Sequence, residues 1–320
     1  MTKKLISIVT PVFNEEDNIH YYFTRMQDAI RPLQDRYDFE IVLTDNASTD
    51  NTFSIISDIA LNDASIRAYR LSRNFGYQKS ILTGLSKAKG DVAIEFDCDL
   101  QDPPELLPVF LKAWEDGAKV VYGIRLKRQE GPFVTGMRRL FYRLINRISE
   151  YDLPADAGDF MMLDRIVLDQ LKKINDQDPY LRGIIFSLGY TQCGIPYERD
   201  SRKFGNSKFS FRKMFGLALD GIISQSDLPL RIASYTGLLI SIFTTILSGY
   251  YLLMHFVIGE ELPPGFTTTV ILILFSISLN AIFLGIIGEY IARIYRQVRY
   301  RPLSIISQSV NDRDEVIACR

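Results

Sequence analysis

The sequence predicts an α/β protein in which a doubly wound domain is followed by an interfacial helix and two transmembrane helices. Three observations support this fold class. Short apolar runs alternate with helical stretches in the first part of the chain. Two much longer apolar runs follow towards the other end. A segment that interleaves aromatic and basic residues leads into the first of them.

Five short, mostly apolar runs are typical of strands that are buried on both faces of a sheet. They are Leu5–Val9, Glu40–Thr44, Ile66–Leu71, Val92–Phe96 and Lys119–Tyr122. The helical stretches between them are Glu15–Ile30, Asn51–Leu61, Tyr77–Ala88 and Pro104–Trp114. Alternation of this kind predicts a mainly parallel sheet, in which ligands bind beyond the carboxyl ends of the strands.

Charge and cysteine content exclude several classes of protein. The 37 Lys and Arg residues nearly balance the 38 Asp and Glu residues. A nucleic-acid binder is usually distinctly basic, so we expect no nucleic-acid partner. Cys98, Cys193 and Cys319 form no disulfide framework and no paired metal-ligand spacing, which is typical of a reducing compartment. The apolar N-terminal run is broken at Pro11, too early for a signal peptide, so we expect a cytosolic N-terminal domain.

The second half of the chain contains two candidate membrane spans. Glu260 and Glu261 are the only charged residues of 232–288, and they separate the apolar runs Ile232–Ile258 and Phe266–Gly288. Each run exceeds the roughly 20 residues that a helix needs to cross a bilayer. A buried helical hairpin in a soluble protein is the alternative.

The distribution of basic residues predicts the orientation of these spans. The connector between the two spans has no Lys or Arg, whereas basic residues precede the first span and follow the second. They are Arg199, Arg202, Lys203, Lys208, Arg212, Lys213 and Arg231 before the first span, and Arg293, Arg296, Arg299 and Arg301 after the second. We therefore expect a multi-pass protein of the cell membrane with both termini and the N-terminal domain in the cytosol.

These features divide the chain into four predicted parts. They are a cytosolic domain (1–206), an amphipathic juxtamembrane region (207–231), a two-helix transmembrane hairpin (232–292) and a cytosolic C-terminal tail (293–320). The juxtamembrane region suits the membrane interface, although a helix packed between domains is the alternative. Ala281 and Gly285 form a small-xxx-small pair beside Asn280, so the second span could form a homo-oligomer or pack only against its partner helix.

Polar residues collect after four of the five predicted strands. They lie in Thr10–Glu15, Asp45–Asp50 and Asp97–Asp102, and at Gly123 and Arg125. Carboxylates, amides and an arginine along one sheet edge suit a polar, phosphorylated ligand. The chain has no G-x-G-x-x-G after its first strand and no G-x-x-x-x-G-K-[ST], which disfavours a dinucleotide oxidoreductase and a P-loop NTPase.

The segment after the fourth strand has the composition of a metal site. Asp97 and Asp99 are two residues apart at a strand end, so their side chains point to the same side. Together with Gln101 they suit a divalent cation, Mg²⁺ or Mn²⁺, which prefers oxygen ligands and often binds a substrate phosphate. Cys98 points to the other side, so we expect a small buried residue there rather than a nucleophile.

Four segments resemble glycosyltransferase family 2, and the resemblance covers nearly the whole chain. They are Ile8–Glu15, Asp45–Asp50, Ser72–Gly76 and Asp97–Glu105. With two C-terminal membrane helices, the chain is similar to the polyprenyl-phosphate glycosyltransferases, which include dolichyl-phosphate mannose synthase and the bacterial bactoprenol glucosyltransferases. The Q-x-x-R-W motif of processive polysaccharide synthases is absent.

The resemblance implies a GT-A-type nucleotide-sugar-binding domain and assigns roles to its residues. Asp97 would lie against the ribose and the diphosphate, and Asp99 and Gln101 would coordinate the metal. Cys98 stands where the family usually has Ala. The residues implied to hold the nucleotide base and ribose are Pro11, Phe13, Glu15 and Asp45.

On the acceptor side, Gly158–Asp164 resembles the family's acceptor segment, with Met161 where Arg often stands. Asp159 could act as a general base or orient a sugar hydroxyl, or it could be a carboxylate in a plain turn. Positive side chains are expected to bring the two anionic reactants together. The candidates are Arg125, Arg128, Arg138, Arg199, Arg202 and Lys203, of which Arg125 and Arg202 are favoured.

The function expected from these features is metal-dependent, inverting transfer of a hexose, glucose from UDP-glucose, to an undecaprenyl-type polyprenyl phosphate. Mannose or another sugar on the same lipid class is one alternative. A neutral lipid alcohol as the acceptor is a second, and it would require a general base. A non-catalytic membrane scaffold that retains a nucleotide-binding fold is a third.

Overall fold

The structure is a computed structural model that describes residues 3–126, 157–174, 176–177, 179–198, 265–299 and 301–312, with short helical pieces between 235 and 246. The chain divides into two compact units. Met1–Phe211 with Arg301–Arg320 forms the first, and Arg212–Tyr300 forms the second.

The first unit is built on an eight-stranded sheet with the order β7-β5-β6-β4-β1-β2-β3-β8. Its strands are β1 Lys4–Val12, β2 Tyr37–Asp45, β3 Ile66–Leu71, β4 Val92–Glu95, β5 Val120–Arg125, β6 Ala157–Asp164, β7 Gln192–Tyr197 and β8 Ile306–Val310. β6 and β8 are antiparallel to their neighbours, and the remaining adjacent pairs are parallel. The carboxyl ends of the parallel strands therefore lie at one edge, together with the beginning of β6.

Helices cover the sheet, and their bounds agree with the expected alternation. They are α1 Glu16–Ile30, α2 Thr52–Asn62, α3 Tyr77–Lys87, α4 Leu107–Glu115, α5 Arg165–Leu171 and α6 Leu181–Ser187 in the first unit, and α7 Phe266–Val298 in the second. The buried faces of α1, α2 and α4 pack with the central strands in one hydrophobic core. The predicted mainly parallel α/β sheet is thus confirmed, with two antiparallel strands added.

Close packing of α3 on the sheet depends on Gly84. A Cβ atom on this residue would lie 2.5 Å from Cγ1 of Val9, so a larger side chain would push the helix away from β1. Ser80 of the same helix donates a hydrogen bond from Oγ to the carbonyl oxygen of Thr44, at 3.1 Å. These contacts hold the first residue of α3, Tyr77, at the carboxyl edge of the sheet.

A strand from the C-terminal part of the chain completes one edge of the sheet. β8 pairs antiparallel with β3, within a segment that sequence analysis described only as a tail. Polar residues dominate Ile306–Val310, and three of its five residues are exposed, so the segment lacks the apolar run that predicts a buried strand. Asn311 follows it at φ +61° and donates from Nδ2 to the carbonyl oxygens of Ala60, Asp63 and Ile66.

The second unit contains α7, a helix of 33 residues. Its segment Phe275–Val298 is 24 residues long and contains an 18-residue window with a mean hydropathy of 1.6, so it is long and apolar enough to cross a membrane. Asn280 donates from Nδ2 to the carbonyl oxygen of Ser276 one turn earlier, at 2.9 Å. The first predicted span falls mostly outside the described residues, and the juxtamembrane region (207–231) falls entirely outside them.

Asn311→Asp should detach β8 from the sheet without altering its shape. Aspartate tolerates the left-handed conformation but cannot donate to the three carbonyl oxygens. We expect the free energy of unfolding to fall by about 1–2 kcal/mol, because three carbonyl oxygens, two of them in part-buried contacts, lose a donor. Hydrogen exchange of the β8 amides should become faster, as measured by mass spectrometry.

The matched control is Asn62→Asp, whose side chain donates to one exposed helical carbonyl oxygen, that of Asp58. Its effect on the free energy of unfolding should stay below about 1 kcal/mol. Unchanged exchange at β8 in Asn311→Asp would contradict a clamping role for Asn311.

Candidate functional site

The loops that follow β1 and β2 are joined by hydrogen bonds at the carboxyl edge of the sheet. Asn14, at φ +55°, donates its backbone N–H to Oγ of Ser48 at 2.9 Å. Glu15 donates its backbone N–H to Oγ1 of Thr52, also at 2.9 Å. Phe13, which precedes Asn14 in the first of these loops, is 41% exposed.

The predicted nucleotide-binding residues have different degrees of exposure at this edge. Pro11 is buried at the end of β1, and Glu15 is half-buried and accepts a hydrogen bond from Asn18 at the start of α1. Asp45 is buried, and Oδ1 accepts the backbone N–H of Ser48 at 3.1 Å. Burial raises the pKa of the Asp45 carboxyl above its usual value. Asp45 therefore shapes its own loop, and direct contact of these residues with a nucleotide stays a prediction.

Alternating burial positions the side chains of the segment after β4. Cys98 and Leu100 are buried at 4% and 6% exposure, whereas Asp97, Asp99 and Gln101 are half-buried. The turn closes with Leu100 at φ +46° and with a 3.2 Å hydrogen bond from the Gln101 N–H to Oδ1 of Asp99. The core thus anchors two apolar residues, so the polar side chains lie on the other side of the segment.

The burial of Cys98 agrees with the role expected from strand alternation. Burial raises the pKa of the Cys98 thiol well above its usual value, and nearby carboxylates raise it further. A thiol that stays protonated is a poor nucleophile. The structure therefore supports a packing role.

Asp97 is linked to α3 through Tyr77. The Tyr77 hydroxyl lies 2.7 Å from Oδ1 of Asp97 and 3.0 Å from Oε1 of Glu95, the last residue of β4. Glu95 is 5% exposed, and burial together with the charges of Asp159 and Asp97 raises its pKa well above the usual range. Two carboxyl groups therefore share one phenol at the centre of the site.

Asp159 lies in a strand, so the alternative of a plain turn carboxylate is wrong. It is the third residue of β6, which runs antiparallel to β4 and begins at the site edge. Its Oδ1 accepts a hydrogen bond from Nη2 of Arg182, in α6, at 3.0 Å. Arg182, Asp159, Glu95 and Met161 line one small cavity.

Arg125 is paired with the last carboxylate of the Asp-rich segment. Its Nη2 lies 3.5 Å from Oδ2 of Asp102, and its Nε donates to the hydroxyl of Tyr197 at 3.1 Å. The Tyr197 hydroxyl also donates to Oδ1 of Asp102. Gly158 permits this arrangement, because a Cβ atom there would lie 3.0 Å from Nη2 of Arg125. The favoured phosphate-binding role of Arg125 stays a prediction.

The donor set around Asp99 fits a hard divalent cation. Asp99 and Gln101 offer side-chain oxygens from one turn, and Mg²⁺ typically takes one or two carboxylates plus substrate phosphates. No cluster of three His, Cys, Asp or Glu side chains suited to a metal occurs in the part of the chain that the structure describes. The remaining ligands would come from the substrate.

Several predicted acceptor-binding residues lie outside the described residues. They are Arg128, Arg138, Arg199, Arg202 and Lys203. Three site residues were missed by sequence analysis: Tyr77, Glu95 and Arg182. Glu95 could have been found, because a glutamate that ends an apolar strand two residues before Asp97 must share its face. Arg182 carries no such signal, since only the fold brings α6 beside β6.

The mixed α/β sheet with polar residues at its carboxyl edge agrees with a GT-A-like fold, and the match to a family model defines the class as a glycosyltransferase. The model of the family described as Glycosyl transferase family 2 matches residues 7–172. The chain belongs to this family.

Relatives of the same class match nearly the whole chain. The uncharacterized glycosyltransferase YkcC of Bacillus subtilis (strain 168) is 36% identical over 95% of this chain and 93% of its own length. The SfII prophage-derived bactoprenol glucosyl transferase of Shigella flexneri is 34% identical over 95% of this chain and 98% of its own. Among solved structures, the mannosyltransferase PcManGT from Pyrobaculum calidifontis, in complex with GDP-Man and Mn²⁺, covers 70% of this chain and 64% of its own at 19% identity, with a TM-score of 0.49.

Cys98→Ala should leave glycosyl transfer close to the wild-type rate, because the thiol packs in the core and takes no part in the chemistry. Loss of the sulfur should cost about 1 kcal/mol of stability. The measurement is transfer rate together with the thermal midpoint. Cys193→Ala, a change at a half-buried thiol in β7, is the control. Loss of transfer by Cys98→Ala at an unchanged midpoint would contradict the packing role.

Proposed function

We propose that this chain transfers a hexose, glucose from UDP-glucose, to an undecaprenyl-type polyprenyl phosphate at the cytosolic face of the cell membrane, with inversion at the anomeric carbon. One observation carries the proposal: Asp97, Asp99 and Gln101 are half-buried in a turn beyond the carboxyl end of β4, while Cys98 and Leu100 between them are buried. The polyprenyl acceptor is supported by the relatives named bactoprenol glucosyl transferases.

The donor side follows from the charge of the edge. Asp97 and Asp99 would repel a nucleotide diphosphate unless a cation lay between these carboxylates and the diphosphate. The proposal therefore includes Mg²⁺ or Mn²⁺ held by Asp99 and Gln101. When bound, such a cation neutralises the charge that develops on the leaving diphosphate. Asp97 orients the donor from the side of the ribose. The exposed ring of Phe13 offers a surface for the base.

The acceptor side needs little proton transfer. A phosphate monoester is already anionic at neutral pH, so its oxygen can attack the anomeric carbon without a strong general base. Attack opposite the leaving diphosphate inverts the configuration. Asp159, held by Arg182 at 3.0 Å, then orients a sugar hydroxyl rather than removing a proton.

Binding of the lipid is assigned to the basic and amphipathic segments on the membrane side. In this proposal Arg125, Arg138, Arg199, Arg202 and Lys203 hold the acceptor phosphate, and 207–231 lies at the membrane interface. Two spans, of which α7 contains one, anchor the enzyme with both termini in the cytosol.

Asp99→Ala should reduce turnover to background, because the variant loses the carboxylate that holds the cation. Removal of divalent cations by a chelator should have the same effect, and added Mg²⁺ or Mn²⁺ should reverse it. The measurement is transfer of labelled sugar from UDP-glucose to polyprenyl phosphate by the full-length protein in detergent or lipid.

The control is Asp58→Ala, which removes an exposed carboxylate of α2 away from the site edge and should retain full turnover. Expression and membrane insertion should match the wild type in both variants. Full activity in the presence of the chelator would contradict the proposed requirement for a divalent cation.

The acceptor assignment predicts a strong preference for the phosphorylated lipid. The dephosphorylated polyprenyl alcohol should be a poor acceptor, since its hydroxyl would require a general base. Labelled UDP-glucose, UDP-N-acetylglucosamine and GDP-mannose can be compared with both lipids, and nuclear magnetic resonance of the product gives its anomeric configuration. Equal use of the alcohol, or an α-linked product from an α-linked donor, would contradict the proposal.

A further inference from the structure

The Tyr77 hydroxyl has two carboxyl neighbours but only one proton to donate. The contact to Oδ1 of Asp97 is 2.7 Å and the contact to Oε1 of Glu95 is 3.0 Å. If both carboxyl groups were ionised, the phenol could satisfy only one, and the other would face its oxygen lone pairs. The arrangement is satisfied on both sides when one carboxyl group is itself a donor.

The surroundings identify Glu95 as that donor. Glu95 is 5% exposed at the end of β4, whereas Asp97 is half-buried and reaches the site edge. Among the described residues, the cation that lines the same cavity is Arg182, and it is paired with Asp159. Taking an ionised carboxylate out of water without a cationic partner is costly, so a buried group is neutral where a less buried neighbour keeps the charge.

We propose that protonated Glu95 donates a hydrogen bond to the Tyr77 oxygen, which in turn donates to ionised Asp97, and that this relay fixes the orientation of Asp97 towards the nucleotide sugar. Tyr77 and Glu95 are positioning residues, since neither needs to touch the substrate. No proton is transferred to the reactants. The functional consequence rests on the proposed function through the role of Asp97, whereas the relay itself rests only on the geometry.

Other features of the structure agree with this relay. Burial raises the pKa of Glu95 well above its usual range, with Asp159 and Asp97 adding to the shift. Burial also raises the pKa of Tyr77, so its hydroxyl keeps the proton that it donates. Tyr77 is 41% exposed as a whole residue, while its hydroxyl contacts both carboxyl groups.

In the proposed relay, the residue at position 95 must donate a hydrogen bond to the Tyr77 oxygen. Glutamine can replace Glu95 in this role, whereas a side chain without a hydrogen-bond donor cannot. Glu95→Gln keeps a donor towards the Tyr77 oxygen, and we expect kcat/KM for the nucleotide sugar to stay within about threefold of wild type. Glu95→Leu and Tyr77→Phe break the relay and should lose about tenfold or more, since a hydrogen bond to a charged group is lost. The loss should fall mainly on kcat, because Asp97 remains present but is less well oriented.

Tyr37→Phe is the matched control for Tyr77→Phe. Tyr37 begins β2 at the opposite edge of the sheet, and its hydroxyl donates to Oε1 of Glu115 at 2.5 Å. The Tyr37→Phe variant loses a hydrogen bond from a tyrosine hydroxyl to a carboxylate, as Tyr77→Phe does, but away from the site. Its kcat and KM should therefore match those of the wild type. Comparison of the two thermal midpoints separates a loss of stability from a loss of positioning.

A double-mutant cycle tests whether the two residues act through one another. Once Tyr77 is phenylalanine, Glu95→Gln should add little further loss, and Glu95→Leu should cost much less than in the wild-type background. Independent, multiplying losses would overturn the relay. So would a Glu95→Gln variant that folds and is as impaired as Glu95→Leu, which is the result expected for an ionised glutamate.

Infrared difference spectroscopy tests the relay without any substrate. The wild type minus Glu95→Gln spectrum at neutral pH should contain the carbonyl band of a protonated carboxyl group, and Tyr77→Phe should shift that band. Absence of the band overturns the relay even where transfer to polyprenyl phosphate is found. Presence of the band with no transfer from any nucleotide sugar leaves the relay standing and refutes the proposed function instead.

Discussion

The candidate site depends on hydrogen bonds that join each loop at the carboxyl edge of the sheet to the loop beside it. Backbone groups beyond the end of a strand lose their sheet partners and must find others wherever water is excluded. The side chain of Asn46 accepts from the N–H of Phe75 and donates to Asn74, while Asn14 accepts from the N–H of Thr49. The loops after β1, β2 and β3 therefore form one connected surface, and a ligand at this edge meets a preorganised set of groups.

The position of Asp97 in turn depends on how closely α3 approaches the sheet. Gly84 allows the helix to lie against Val9, and the helix begins at Tyr77, whose hydroxyl reaches Asp97. Packing seven residues away thus determines where a polar atom stands in the site. On the far side, the ion pair between Arg125 and Asp102 holds the end of the same segment to β5. The Asp-rich segment is held at both ends.

Much of the fold was predictable from the sequence, because near-continuous apolar runs indicate buried parallel strands. The predicted bounds of β3 are those observed, and β1 and β2 extend beyond the predicted runs into polar residues that still pair. β8 could not be predicted, since its partner is distant in sequence and its residues alternate in no clear pattern. The placement of Asp97 and Asp99 on one side of the segment and of Cys98 on the other was predictable from alternation, whereas the pairing of Asp159 with Arg182 depends on how α6 packs.

Charge balance explains how one edge can gather many carboxyl groups and still bind an anion. Two carboxylates are neutralised by arginines, Asp102 by Arg125 and Asp159 by Arg182. In the proposed relay, Glu95 is neutral. Asp97 and Asp99 keep their negative charge in this arrangement, and one divalent cation would balance it. The diphosphate of the nucleotide sugar would add two or more negative charges to those of Asp97 and Asp99. Departure of the diphosphate would therefore relieve the repulsion between it and these two carboxylates. A third ionised carboxylate, at Glu95, would strengthen this repulsion before the reaction and weaken binding of the nucleotide sugar, which gives a physical reason for keeping Glu95 protonated.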